Sequence, residues 1–166
     1  MSGFVVRDPN TDADPDAPGQ QIPADVVACD AFWPSINLTE LRDAVRLDTA
    51  IPANRLRDAV RNAMLEMGRA LAGWRAAREA EGATKLSDVT PRRMVDGQSD
   101  YAVLWARGIY SIVAGDLSER LRGMTATKAG HDRADELETE GDVHARNVVY
   151  AVRDFLGRTR VRASSI

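Results

Sequence analysis

An apolar stripe over residues 52–81 limits the possible folds of this chain more than any other feature. Its members recur at every third or fourth position: Leu56, Val60, Met64, Met67, Leu71 and Trp74. This spacing places them on one face of an α-helix. Pro52 suits the first residue of a helix, because its missing N–H would be unpaired there, and Gly82 suits the end. We predict one helix over residues 52–81, about 45 Å long.

Three other helices are predicted from the same periodicity. A short one follows a cap at Asn37 or Ser35, and its stripe consists of Leu38, Leu41 and Val45. After a linker over residues 83–98, a third helix begins at a cap on Ser99 or Asp100 and ends at Gly123. Its apolar face consists of Leu104, Trp105, Ile109, Ile112, Val113, Leu117 and Leu121. The fourth covers about residues 131–155, with the stripe Ala134, Leu137, Val148, Ala151, Val152 and Phe155.

The two ends of the chain lack this pattern. Residues 1–34 are rich in proline and show no sustained periodicity, so they cannot order themselves by burying apolar surface. Ala31, Phe32 and Trp33 nevertheless form an apolar patch that suits an anchor onto the body. Residues 158–166 alternate arginines with small residues, which is typical of an extended segment.

The predicted fold is therefore all-α. A helical bundle of one short and three long helices, residues 35–157, lies between an extended N-terminal arm, 1–34, and an extended C-terminal tail, 158–166. Residues 1–30 hold six aspartates against one arginine, a net charge of −5, and the tail holds three arginines and no acid, a net of +3. Ends of opposite charge indicate segments that contact partners.

Composition excludes several classes of protein. One cysteine, Cys29, rules out an intramolecular disulfide, and with no cleavable signal peptide in the sequence we expect synthesis in a reducing cytoplasm. No apolar run approaches the roughly 20 residues that cross a bilayer, so we expect no membrane contact. The net charge of −3 is far from the basic excess of a stand-alone nucleic-acid binder.

Few residues suit catalysis or metal binding. His131 and His144 have no neighbours at metal-ligand spacing, and Cys29 has no partner that would activate a thiol. Asp12, Asp14 and Asp16 resemble the start of a calcium loop, but prolines interrupt it and the later glutamate is missing. The acidic run Asp132, Asp135, Glu136, Glu138, Glu140 and Asp142 suits the solvated start of a helix. We predict no catalytic site, no metal and no cofactor.

A helical DNA-binding or regulatory protein is the alternative. A short helix, a turn and a helix rich in arginine superficially resemble a helix-turn-helix motif. The second helix is far too long for a recognition helix, and acids interrupt its basic row, namely Asp58, Glu66, Glu79 and Glu81.

Several segments resemble one family, the phage head completion (gene L product) family of temperate contractile-tailed phages. They are Phe32-Trp33-Pro34, the short helix to Arg46-Leu47, residues 51–59, residues 82–89, residues 119–123 and the loop 125–130 leading to Ala134-Asp135. The loop is the most specific of them, and Ser165-Ile166 at the end is similar too. The resemblance covers roughly residues 32–166, and the arm carries no family motif.

The resemblance implies a structural virion protein. Such a protein joins the portal vertex after DNA packaging, stabilises the filled head and provides the connector ring for tail attachment. The implied partners are the portal protein, identical subunits in a dodecameric ring and a tail-side neck protein. Packaged DNA would pass through the ring without sequence-specific binding. The implied location is the portal vertex or neck, after synthesis in the host cytoplasm.

The C-terminal tail is the predicted docking segment. Its candidate residues are Arg158, Arg160, Val161, Arg162 and Ile166. An extended tail presents a basic edge and an apolar edge, and it can add to a sheet edge or lie in a groove. The resemblance makes the portal the first choice of partner and a neighbouring subunit the second.

Overall fold

The computed structural model of the protein describes residues 23–45, 51–124 and 143–158, except for the side chains of residues 119–124. The helices in these ranges are α1 (Leu38–Val45), α2 (Ala53–Ala70), α3 (Ala72–Ala80), α4 (Asp100–Met124) and α5, of which residues 143–155 are described. A 3-10 turn covers Leu86–Asp88, and two antiparallel strand pairs join β1 (Val26–Val27) to β2 (Ile36–Asn37) and β3 (Met94–Val95) to β4 (Gln98–Ser99). The mainly helical fold confirms the all-α prediction in part, since the two small sheets were not predicted.

The start of α1 is held by Asn37. Its Oδ1 accepts hydrogen bonds from the backbone N–H groups of Thr39, at 2.7 Å, and Glu40, at 3.2 Å. These two donors have no partner inside the helix, so the side chain satisfies them as an N-cap does. Of the two predicted caps, Asn37 is therefore the correct one.

The prediction of a single helix over residues 52–81 is wrong at Leu71. The chain forms two helices that meet at Leu71, whose φ of −102° and ψ of 3° leave the helical region. Hydrogen bonds still run from the Leu71 N–H to the Met67 carbonyl and from the Arg75 N–H to the Leu71 carbonyl. Gly68 and Gly73 flank the break, and glycine weakens a helix by about 1 kcal/mol relative to alanine. The apolar stripe nevertheless continues across the break.

Helix α4 begins where the sequence indicates. Ser99 Oγ accepts a hydrogen bond from the Tyr101 N–H at 3.2 Å, so the predicted cap is confirmed. The helix ends at Met124, one residue beyond the predicted end at Gly123. Helix α5 is followed by Gly157, with a φ of 68°, and the Arg158 N–H donates to the Arg153 carbonyl at 2.8 Å. This is a helix C-terminal cap, at the predicted position.

Helix α4 lies at the centre of the bundle and runs antiparallel to its neighbours. Met67 of α2 lies against Gly108 of α4, and Trp74 of α3 lies against Tyr101 near the start of α4. On the other side, His144 of α5 is close to Gly115, and Phe155 contacts Tyr101. Residue numbers increase along α2–α3 and α5 in the direction in which they decrease along α4, so α4 is antiparallel to these helices.

The predicted core is confirmed in substance. Most described residues of the four predicted stripes are buried, including Leu56, Val60, Met64, Leu71, Trp105, Leu117 and Phe155. The other described stripe residues are half-buried: Val45, Trp74, Leu104, Ile112, Val148 and Val152. None is exposed, so the helix faces are assigned correctly. The arm before residue 23, the predicted start of the fourth helix at residues 131–142 and the tail after Arg158 lie outside the described residues.

Candidate interaction surfaces

The described residues contain no group of three or more His, Cys, Asp and Glu side chains that could hold a metal ion. His144 is half-buried on α5, and Cys29 is half-buried beside Asp30. Burial raises the pKa of the Cys29 thiol, so less of it is the nucleophilic thiolate at neutral pH. His131 and the aspartates at positions 12, 14 and 16 lie outside the described residues. No helix within them has the length and apolar character to span a membrane.

Stacked aromatic rings join the segment before α1 to the bundle. The rings of Trp33 and Trp105 lie face to face, with centroids 4.3 Å apart. Trp105 Nε1 donates a hydrogen bond to the Pro34 carbonyl at 3.1 Å, and the Leu86 N–H donates to the Phe32 carbonyl at 2.8 Å. Phe32 and Trp33 are both buried. The predicted anchoring is confirmed for Phe32 and Trp33, whereas Ala31, the third residue of the predicted patch, is exposed.

An ion pair fixes the turn that precedes this anchor. Asp30 Oδ1 accepts hydrogen bonds from the N–H groups of Phe32, at 3.0 Å, and Trp33, at 3.3 Å, and its Oδ2 pairs with Arg75 of α3. Desolvation by partial burial acts to raise the pKa of Asp30. The hydrogen bonds from Arg75, Phe32 and Trp33 together outweigh desolvation, so the pKa is lowered. The Arg75 guanidinium also lies 4.9 Å from the centroid of the Phe32 ring.

A β-hairpin projects from the segment predicted to be a linker. It consists of β3 and β4, with Val95 opposite Gln98. The two turn residues have positive φ, 50° at Asp96 and 73° at Gly97, as a type I′ turn requires. Met94 is 59% exposed and Val95 is 46% exposed, so the hairpin presents apolar side chains to solvent. The Asp-Gly pair is the signal from which the hairpin could have been predicted.

An open groove of about 560 Å³ lies between the hairpin, the start of α4 and the end of α5. We call it the hairpin groove; its lining residues are Arg92, Arg93, Val95, Asp100, Val103, Leu104, Asp154, Gly157 and Arg158. The exposed side chains of Arg93 and Arg158 form no ion pair within the described part of the chain. The groove therefore combines an apolar wall with two available cations.

Arg92 gives the hairpin groove its shape. Its Nε donates to Asp100 Oδ2 at 3.0 Å, and its terminal NH2 donates to the Asp154 carbonyl at 2.7 Å. Its guanidinium lies 4.9 Å from the centroid of the Tyr101 ring. Asp100 is buried, and its other oxygen has no hydrogen-bond partner among the described residues. Arg92 is thus the described cation that compensates the burial of this carboxylate. Sequence patterns gave no signal for this bridge, since it joins residues 62 positions apart.

A second open groove, of about 480 Å³, lies between α1, α4 and α5. Glu40, Tyr110 and His144 are among the residues that line it. Burial, and then the charge of Glu40, raises the pKa of Tyr110. These groups do not converge on a reaction centre comparable to a nucleophile held by a base.

The predicted docking residues are mostly beyond the described part of the chain. Arg158 is described; it is exposed at the end of α5 and lines the hairpin groove. Arg160, Val161, Arg162 and Ile166 lie outside the described residues, so their role stays a prediction.

These features define a class of protein: a mainly helical protein whose notable surfaces, in its described part, are exposed grooves and an exposed hairpin. Comparison with known proteins gives the particular family. The family described as "Phage head completion protein (GPL)" matches residues 27–166. This match covers most of the chain, so the protein belongs to the phage head completion protein family.

A curated relative agrees with the family. The "Head completion/stabilization protein" of Escherichia phage P2 is 31% identical over 135 residues, which is 81% of this chain and 79% of the relative. No solved structure matches. The family is one of structural phage head proteins and not of enzymes, so the chain is a component of the virion. The resemblance found in the sequence is thereby confirmed.

Proposed function

We propose that this protein joins the portal vertex once the head is filled with DNA, stabilises the filled head and supplies the connector for tail attachment. One observation carries the proposal: the family match extends over residues 27–166, which include every described helix. The role named for the phage P2 relative, head completion and stabilization, supports it. The proposed site of action is the neck of the virion, and synthesis takes place in the host cytoplasm.

Identical subunits form a dodecameric ring in this proposal. A ring needs side surfaces that bind the next copy, and head-to-tail contacts close when the rotation per step divides a full turn. The exposed apolar side chains of Val149 on α5 and of the β3–β4 hairpin are available for such contacts. Packaged DNA passes through the ring, and no sequence-specific contact with it is required.

The C-terminal tail docks on the portal in this proposal. Arg158, where the tail begins, is exposed. The following residues alternate between arginines and small residues, so an extended tail can bind through its backbone and select through alternate side chains. The opposite side of the ring receives a tail-side neck protein.

Co-sedimentation with capsids tests the proposal. Purified protein is mixed with DNA-filled capsids that carry the portal and with matched capsids that lack it. We expect saturable binding to the portal-bearing capsids alone. Equal binding to both kinds of capsid would overturn the portal assignment.

Binding to duplex DNA tests the alternative function. Arg55 and Arg69 are exposed on α2 and form no ion pair within the described residues, so this face is the one to examine. A DNA-binding protein would show duplex affinity that falls steeply with added salt, because phosphate contacts release counterions. A connector subunit would show no such affinity.

A further inference from the structure

We propose that the hairpin groove of one subunit binds the acidic N-terminal segment, residues 1–22, of a neighbouring copy. This inference rests on the proposed ring, and it names the surfaces that meet in it. Residues 1–26 lie before the family match, so the contact adds to what the family region provides.

The chemistry of the groove favours an acidic segment with an apolar part. Arg93 and Arg158 are exposed cations without an ion pair in the described residues, and Arg92 adds a third guanidinium to the lining. Asp100, which Arg92 contacts at 3.0 Å, and Asp154 also line the groove, so its three arginines face two aspartates and the lining has a net charge of +1. Val95 and Leu104 supply apolar surface beside these charges. A segment with carboxylates and apolar side chains could pair with the arginines and pack against the apolar side chains of the groove.

The N-terminal segment has this chemistry. Residues 1–22 contain four aspartates against Arg7 alone, a net charge of −3. An apolar run, Phe4-Val5-Val6, precedes the acidic stretch. Fully extended, 22 residues reach at most about 70 Å, which is enough to cross to a neighbouring subunit.

Charge also excludes the other terminal segment as the occupant. The tail continues from Arg158 with Arg160 and Arg162. A tail with two more arginines and no acid would add positive charge to a lining that already has a net charge of +1, whereas the acidic segment would neutralise it. The tail is therefore free to serve the portal.

The hairpin groove and the point where the described chain begins, at residue 23, lie at opposite ends of the bundle. The first described residues are held near the start of α2, where Arg57 donates to the carbonyls of Ala24 and Val26. The hairpin groove lies by the end of α5, where Phe155 contacts Trp74. Arg57 and Trp74 are about 25 Å apart along the α2–α3 axis at 1.5 Å per residue. An acidic end and a basic end on opposite sides give a head-to-tail contact, the kind that builds rings.

Site-directed disulfide formation between separate copies tests the contact. All proteins carry Cys29→Ser, so the native cysteine cannot form a disulfide with an added one. Full-length copies with Asp14→Cys are mixed with tagged copies that carry Val95→Cys, in solution and on portal-bearing capsids. The matched control for the second partner is Leu65→Cys, at a position that is also exposed but lies on the outer face of α2. We expect the mixed disulfide with Val95→Cys and not with Leu65→Cys.

Charge reversal shows whether the groove cations are responsible. Arg93→Glu, added to the Val95→Cys copy, should lower the mixed-disulfide yield by about tenfold, which corresponds to roughly 1.4 kcal/mol, and it leaves Arg158 of the portal-docking tail intact. Arg69→Glu, which reverses an exposed arginine on α2, should leave the yield unchanged. A yield that does not respond to the Arg93 reversal would overturn the proposal.

Two further outcomes decide the matter. A chain with both Asp14→Cys and Val95→Cys that forms mainly an intrachain disulfide would overturn the contact between copies. The absence of the mixed disulfide in solution and also on capsids would overturn the contact as well. If the same variants still co-sediment with portal-bearing capsids, the ring contact has failed while the proposed function stands. If none of them co-sediments, the proposed function itself has failed.

Discussion

Gly108 of α4 packs directly on Met67 of α2. A β-carbon at position 108 would lie 2.5 Å from Met67 Cε and 2.7 Å from its sulfur, closer than such atoms approach in folded proteins. Met67 is fully buried, so its side chain has little space into which to move. The absence of a side chain at position 108 therefore sets how closely α2 and α4 approach.

Gly108→Ala should destabilise the protein. Overpacking costs about 1–3 kcal/mol and the gain in helix propensity is about 1 kcal/mol, so the net loss should be up to about 2 kcal/mol, set by how far the buried Met67 side chain can shift. Gly68→Ala is the control, because a β-carbon at position 68 would have no described atom within 4 Å and the propensity gain acts alone. Denaturant unfolding should show a lower free energy of unfolding for the first variant and a higher one for the second. Equal shifts in the two variants would contradict the close packing.

Leu71→Ala should lower the free energy of unfolding by about 2–5 kcal/mol. Leu71 is fully buried at the junction of α2 and α3, and large-to-small changes in a core leave a cavity. Leu65→Ala, at an exposed position six residues earlier, should change the stability by less than about 0.5 kcal/mol. Thermal and denaturant unfolding of both variants checks this. Similar losses in the two would mean that the helix faces are misassigned.

Trp105→Phe should loosen the segment before α1. The substitution keeps an aromatic ring against Trp33 but removes the N–H that pairs with the Pro34 carbonyl, at a cost of about 1–3 kcal/mol. Trp74→Phe is the control, since Trp74 is half-buried and makes ring contacts. Limited proteolysis should cleave residues 23–34 faster in the Trp105 variant than in the control. Identical cleavage rates would show that the hydrogen bond does not hold this segment.

Asp30 should make stability depend on pH in the acid range. Its pKa is lowered in the folded protein, so its stabilising effect is complete above the unfolded value of about 3.9 and declines as pH falls through the folded value. Asp30→Asn should be less stable than the parent at pH 7, and the difference should shrink as pH falls below about 3.9. Asp43→Asn, at an exposed position on α1, is the control. A difference that stays constant down to pH 2 would contradict the role of the carboxylate.

Removal of residues 159–166 should abolish docking on the portal and leave the bundle folded. This deletion keeps the Arg158 N–H that donates to the Arg153 carbonyl at the end of α5, so helix termination is preserved. Unfolding measurements should match the parent, while co-sedimentation with portal-bearing capsids is lost. Arg160→Ala with Arg162→Ala should reproduce the loss, and Thr159→Ala should not. A truncated protein that completes heads at the normal level would exclude the tail as the docking segment.

Local sequence patterns predicted most of the helices and their ends. The stripe from Leu56 to Trp74 identified the buried face of α2 and α3, because residues three and four apart share one side of a helix. Asn37 and Ser99 were identified as caps, because their side chains reach N–H groups only two or three residues away. The Asp96-Gly97 pair carried an equally local signal for the hairpin, which the prediction of a linker did not use.

Other features depend on which distant segments come together. The break at Leu71, the close approach of Gly108 to Met67 and the bridge from Arg92 to the Asp154 carbonyl all involve the packed bundle. No pattern within one helix reports the position of another helix. The periodicity of this chain therefore determined its helices and their buried faces. Tertiary packing alone decided which side chains meet across them, and so placed two exposed arginines beside an exposed apolar hairpin.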